Sequence, residues 1–264
     1  MPNAKITILV PNYKTVELTK LCLRLLRKYT SPDLAIVTVI DNDSNDSSLE
    51  YLRSLNWIQL IERRAIPGES PALSHARALD QALETVTTPY VLSIHTDTLV
   101  KNSKWLPYLL SHIENDPQIA GVGSWKLEYP SLIKSLLKSV EDVAHAMIDR
   151  LKGKKPFKEI LYLRSHCALY RTDLLRRHEL SFAENDEVAG KAMHQRLISM
   201  GYKMKFLSSE QLYDYVDHIN HATMFLNNEF NMKKKRVAHG MRRMQRSLSE
   251  LGAAGILLDD SLDR

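Results

Sequence analysis

The chain has 264 residues, with 36 Lys+Arg against 31 Asp+Glu for a net charge of +5, and is 44% hydrophobic and 25% charged. This composition excludes intrinsic disorder as the main state, because Leu, Ile and Val are plentiful enough to offset ordering entropy, and no apolar run approaches the ~18 residues of a membrane-spanning helix. Cys22 and Cys167 are the only cysteines, which excludes a disulfide framework and fits a reducing compartment, so a cytoplasmic protein without a secretory leader is expected.

Short apolar runs alternate with helical periodicity through the first half, the pattern of strand–helix units feeding a parallel sheet. Lys5 to Val10 reads as a strand stopped by Pro11. Val16 to Tyr29 is a helix with Leu18, Leu21, Leu25 and Leu26 on one face. Leu34 to Ile40 is apolar nearly throughout, as a strand covered on both faces should be. Asn45 to Leu55 reads as a helix, Ile58 to Ile61 as a strand, and Pro71 to Thr85 as a helix with Ala72, Leu73, Ala76, Leu79 and Leu83 on one face. Tyr90 to Ile94 is the fourth strand and Trp105 to Glu114 the next helix.

Beyond Gly121 the alternation weakens. Ser131 to Leu151 is periodic for a helix, Leu161 to Tyr170 reads as a strand-pair element, and Asp186 to Met200 as a helix stopped by Gly201. Lys203 to Leu207 and Leu212 to Val216 read as short strands, and Thr223 to Leu251 as a basic helical stretch.

In an open parallel sheet, ligands bind beyond the carboxyl ends of the strands, where loops and helix N-termini converge. Three of those ends are polar: Pro11-Asn12-Tyr13-Lys14, then Asp41 to Asp46, then His95-Thr96-Asp97-Thr98. Asp, Asn and Ser are also turn and cap formers, so Ser44 and Asp46 equally serve to start the next helix. Asp41, Asp97 and His95 end apolar strands, where a polar side chain is costly without a partner.

The runs ITILVPNYK, VIDNDSND and YVLSIHTDT, in that order and spacing, resemble the inverting family 2 glycosyltransferases of the GT-A fold. HQRLISMGYKMKF resembles that family's acceptor-side helix, and the resemblance covers roughly residues 4 to 223. It implies an α/β fold of GT-A type, a Rossmann-like mostly parallel sheet flanked by helices, with residues 1–222 as the transferase domain. Within it, 1–124 would form the nucleotide-sugar half and 125–222 the acceptor half, with 223–264 a basic helical extension. The implied reaction moves a sugar from a nucleotide-diphosphate donor, UDP or dTDP, to a hydroxyl of a polysaccharide or lipid-linked glycan.

Carried over residue by residue, the resemblance puts Pro11, Asn12, Tyr13, Asp41, Asp43, Arg77, His95 and Thr96 on the donor. Asp97, His95 and His218 would hold a metal. His95 stands where the family pattern has the first aspartate of Asp-x-Asp, so the site carries less negative charge and favours Mn²⁺ over Mg²⁺. The family's acidic pair at the head of the acceptor helix would fall on Ala189 and Gly190. Asp186 and Glu187, with Glu184 just upstream, are the nearest carboxylates for the general base. Between His218 and His221, the spacing to Thr223 favours His218 as the ligand.

Residues 231–246 hold seven Lys+Arg and no acid, with Val237, Met241, Met244 and Leu248 as an apolar stripe. A basic amphipathic helix suits an anionic membrane surface, or equally a helix packed by its Met/Leu face on the core or on a second subunit. No stacking aromatics are interleaved with the charges, so nucleic acid is not expected. Two other functions compete: a non-catalytic nucleotide- or glycan-binding protein, and a sugar-nucleotide pyrophosphorylase. PNYK in place of a Gly-rich loop after the first strand counts against the latter.

Overall fold

The computed structural model describes residues 4–127, 161–219 and 234–264. The expected helix from Ser131 to Leu151, His221 and Thr223 lie outside the described residues.

The first half follows the expected alternation: β1 (Ile6–Asn12), α1 (Val16–Tyr29), β2 (Ala35–Asn42), α2 (Ser47–Ser54), β3 (Gln59–Arg63), α3 (Pro71–Leu83) and β4 (Tyr90–Ile94). Then come β5 (Thr98–Val100), α4 (Trp105–Glu114), β6 (Ile119–Gly123), β7 (Cys167–Arg171) and α5 (Thr172–Arg177). After these run α6 (Lys191–Ser199), β8 (Lys203–Phe206), α7 (Ser209–Tyr213), β9 (Val216–His218), α8 (Lys234–Glu250) and α9 (Ala253–Leu258).

Seven strands form one sheet in the order β3-β2-β1-β4-β7-β6-β8, and β5 pairs with β9 in a small ribbon. Strands β1 to β4 are parallel; β7 runs against both of its neighbours, β4 and β6. That reversal matters for function, because the start of an antiparallel strand lies at the same edge as the ends of the parallel ones.

Both faces of the sheet are covered, which explains why β1, β2 and β4 are apolar along their length. The period of two sends Ile6, Ile8 and Val10 to a core shared with α1, α2, α4 and α9, while Leu9 joins a second core with α3, α5 and α6. Strands β6 and β7 approach closely at Gly123, where a Cβ would stand 2.6 Å from the Cys167 carbonyl oxygen.

Three local expectations are corrected. Residues 209–213 form a helix, not part of a strand: Ser208 and Gln211 make a reciprocal capping box, a strong helix start that outweighs the apolar Leu212. Of the 161–170 run only the part from Cys167 on is strand, and it continues to Arg171. The helix expected from Asp186 begins at Lys191, because Asn185, Asp186 and Gly190 adopt left-handed backbone (φ 60°, 52° and 76°) that no right-handed helix tolerates.

The end of the chain packs back on α1. Arg24, buried in that helix, donates from Nε and Nη2 to the two carboxylate oxygens of Asp263 (2.9 and 2.5 Å). It also donates to Asp260 (2.6 Å) and to the Leu257 carbonyl (2.5 Å). Met244 of α8 is buried in the same core, with Met241 and Leu248 packed against it. The Met/Leu stripe is therefore used inside the fold and is not available for insertion into a bilayer. Arg242 and Arg246 of α8 are exposed. Among the described residues no helix is long and apolar enough to cross a membrane.

Candidate active site

A cavity of about 560 Å³ opens at the carboxyl edge of the sheet. Pro11 and Asn12 at the end of β1, Tyr13 just beyond it, Ser74 and His75 of α3, and His95, Thr96 and Asp97 after β4 form part of its wall. Arg164, Ser165 and His166, just before the reversed strand β7, and His218 at the end of β9 line it as well.

The turns after β1 and β2 pass through left-handed backbone at Lys14, Thr15, Asp43 and Asn45, none of them glycine. A buried hub holds this strained geometry. Asn12 donates from Nδ2 to Asp41 Oδ1 (2.8 Å) and accepts from Thr19 Oγ1 at Oδ1 (2.6 Å), while Asp41 Oδ2 accepts from the Ser44 amide (3.1 Å). Asp41 is thus 1% exposed and stands behind the wall rather than in it, which corrects its expected contact with the donor. Asp43 also stays out of the wall, accepting from Asn45. Asp46 caps α2 through the Ser48 amide (3.0 Å).

Arg77 does not line the cavity either. Its guanidinium donates to Glu69 Oε1 (2.8 Å), and Glu69 is gripped from the other side by Arg63 (2.6 and 2.8 Å). Burial would push the Glu69 carboxyl up, but the two guanidiniums outweigh it and hold it at about 2. The cation that does line the wall is Arg164, whose guanidinium lies 4.4 Å from the Trp125 ring centre. Among the described residues it has no acidic partner.

Three expected ligands converge. His95 Nδ1 and His218 Nε2 lie 3.8 and 3.3 Å from Asp97 Oδ1, with the ligand atoms of all three within 4.8 Å of one another. The β5–β9 ribbon accounts for this meeting of residues more than a hundred positions apart. Thr98 pairs with His218, and the Ile219 amide donates to the Asp97 carbonyl (2.8 Å). Burial pushes the Asp97 carboxyl up, yet the charge of and hydrogen bond from His218 hold it well below the usual carboxylate range. Two imidazole nitrogens and an ionised carboxylate oxygen suit a divalent first-row metal.

The rest of the cluster was not foreseen. His166 stacks on His218 (ring centres 4.6 Å apart, 13° between planes) and shares a hydrogen bond with Ser124 (2.9 Å). Ser165 Oγ lies 3.0 Å from His95 Nε2 and 3.1 Å from His75 Nε2.

Desolvation holds His75 at about 4 and His95 at about 3, and places His166 well below its ordinary value. His194, accepting from the Leu163 amide beneath this wall, is held at about 4. These rings stay neutral when folded but gain protons in the unfolded chain below about pH 6.5, so unfolding takes up protons between those limits. Stability is therefore expected to be full above pH 6.5 and to fall as pH drops toward 4. Urea denaturation across that range checks this; a flat midpoint would contradict it.

The acidic turn expected to supply the base sits beside the cavity. Val188 and Ala189 line it, while Asp186 and Glu187 do not. Asp186 is 74% exposed with Arg77 Nη2 at 4.0 Å, Glu187 is paired with Lys191 (3.0 Å), and Glu184 with Arg196 (2.7 Å). Asp80 of α3 anchors the approach to this turn, accepting from Ser181 Oγ (2.6 Å) and the amides of Phe182 (2.6 Å) and Ala183 (3.0 Å).

The family model described as glycosyl transferase family 2 matches residues 7–178. Teichoic acid poly(glycerol phosphate) polymerase of Staphylococcus epidermidis is 24% identical over 189 residues, 69% of this chain and 24% of that one. The chain therefore spans about a quarter of that relative's length. Among solved structures, mannosyltransferase PcManGT from Pyrobaculum calidifontis, in complex with GDP-Man and Mn²⁺, superposes with a TM-score of 0.58 at 17% identity. That match covers 98% of this chain and 71% of the other. Residues 1–349 of S. aureus TarS superpose with a TM-score of 0.53 at 16% identity, covering 93% and 72%. At these identities the likeness establishes a shared fold, the GT-A type of α/β sheet, and function has to be read from the site.

Proposed function

The chain belongs to glycosyl transferase family 2, and we propose that it moves a sugar, with inversion, from a nucleoside-diphosphate donor to a hydroxyl of a glycan or lipid-linked acceptor. UDP and dTDP are the donors favoured; TarS is solved with UDP and with UDP-GlcNAc. One observation carries the reading: His95, Asp97 and His218 converge on the wall of a cavity sized for a nucleotide sugar.

Those three residues would hold a divalent ion, Mn²⁺ in preference to Mg²⁺ because two donors are nitrogen, and such an ion neutralises charge building on the departing diphosphate. Arg164 supplies a second, fixed cation on the same wall, in the role first expected of Arg77. Pro11, Asn12, Tyr13 and Thr96 face the donor. The proton of the attacking hydroxyl is assigned to Asp186 or Glu187, on the turn that enters the wall at Val188. The exposed charges of α8, Arg242 and Arg246, are proposed to hold the enzyme near an anionic membrane surface by attraction alone, without insertion.

A binding-only reading rests on one feature: Glu69 and Asp97 are the sole carboxylates of the described wall, and both are engaged. Thermal unfolding with UDP, dTDP, GDP and CMP, each with and without Mn²⁺, tests the donor site. One nucleotide raising Tm in the presence of Mn²⁺ is expected, and no shift with any would reject the reading. Donor turnover that falls in Asp186→Asn or Glu187→Gln separates the enzyme from a binder.

A further inference from the structure

We propose that Ser165 and His75 form a hydrogen-bonded relay that sets which nitrogen of His95 faces the metal. This rests on the metal-dependent reading above and extends it to residues outside the ligand set. Neither residue belongs to the strand-end motifs by which the site was recognised.

The case is geometric. Ser165 Oγ sits between the Nε2 atoms of His95 (3.0 Å) and His75 (3.1 Å), whose rings meet edge to face at 4.6 Å. The other nitrogen of His95, Nδ1, is the one turned toward Asp97 (3.8 Å). A ligand nitrogen must offer its lone pair, so Nδ1 has to be bare and Nε2 has to carry the proton. That proton needs an acceptor, and the buried Ser165 Oγ is at hydrogen-bond distance (3.0 Å). A serine hydroxyl has one proton of its own, and its remaining neighbour in line is His75 Nε2. One direction satisfies every group: His95 Nε2–H donates to Ser165 Oγ, and Ser165 O–H donates to His75 Nε2.

Without the hydroxyl, His95 can turn its ring or place its proton on Nδ1, and both remove a ligand. Ser165 is 8% exposed, held by the turn that enters β7, so the acceptor is fixed before metal arrives. Outer partners of metal-bound imidazoles typically contribute 10–100-fold in affinity. Ser165 and His75 are thus positioning residues, not ligands.

The test is Mn²⁺ affinity, read from the free-ion paramagnetic resonance signal on titration of the intact chain. Ser165→Ala is expected to weaken binding about 10–100-fold with the metal-free Tm unchanged. Ser165→Thr, which keeps the hydroxyl, should retain most of the affinity. His75→Ala should weaken it less, and the double variant should lose no more than Ser165→Ala alone, because the relay is broken once. Unchanged affinity in Ser165→Ala, or additive losses in the double variant, would overturn the relay while leaving the metal site intact. If Ser165→Ala fails to fold, His75→Ala with unaltered affinity overturns it. Wild-type protein that binds no Mn²⁺ would instead overturn the metal site itself, and the relay with it.

Discussion

Asp97→Asn is expected to lower turnover by about 10²–10³-fold, some 3–4 kcal/mol of transition-state stabilisation, while leaving the fold in place. Asparagine keeps the shape of the side chain, and the ribbon contact is made by the backbone carbonyl of residue 97, which accepts from Ile219. What disappears is the negative charge between two imidazoles, 3.3 Å from one and 3.8 Å from the other. Neutral donors alone hold a divalent cation weakly, so any rise in Tm on adding Mn²⁺ should vanish with the activity. Turnover within threefold of wild type, or a retained Mn²⁺ shift, would contradict the assignment.

Arg24→Ala carries the largest expected effect on stability, about 2–4 kcal/mol, because it removes a buried guanidinium that makes five hydrogen bonds and an ion pair whose acid, Asp263, is only partly exposed. Arg24 is 2% exposed, and its loss removes the guanidinium from Asp263, which then keeps only Tyr51 Oη (2.7 Å), and takes a donor from the carbonyls of Ile256 and Leu257. Domains of this kind are stable by only about 5–15 kcal/mol, so the variant should be marginal. Arg24→Met combined with Asp263→Leu should lose less than the two single changes summed, since the pair is then removed together. Urea denaturation checks both; a loss below about 1 kcal/mol in Arg24→Ala would show that the pair is worth no more than an exposed one.

The parallel half of the sheet was readable because burial on both faces leaves mostly apolar residues in β1, β2 and β4, with only Thr7, Thr38 and Ser93 polar inside them, and because their polar ends then stand out. Asp97 and His95 stood out that way, whereas His218 came from the resemblance, by its spacing to Thr223. Asp41 shows the limit: a carboxylate ending an apolar strand must be satisfied, and here Asn12 and the Ser44 amide satisfy it inside the fold. Sequence pattern does not distinguish that from a ligand contact.

The helix of SHARALDQAL raised a different difficulty. Arg77 drew notice as a cation, yet His75, two positions earlier and about 200° around the helix, is the residue facing the cavity. Ser165 and His166 were missed because strand direction is invisible in a run such as SHCALYR. Read as parallel, it puts them at the far edge of the sheet; reversed, it brings them to the site. The late start of α6 depends on left-handed turns at non-glycine residues, which composition does not announce.

The pairing of β4 with β7 has a consequence for how the molecule is made. Tyr90 pairs with Arg171, so the middle of the sheet is zipped across some eighty residues of sequence, as is the pairing of Ile6 with Tyr90, while only β1–β2 and β2–β3 join by local βα crossovers. On a ribosome, β4 emerges long before its partner. For that interval the stretch Tyr90 to Ile94, buried throughout in the finished fold, is a bare apolar edge open to any passing strand. Slow synthesis between residues 94 and 167 should therefore favour aggregation of nascent chains, and anything that shields that edge should raise the yield of folded protein.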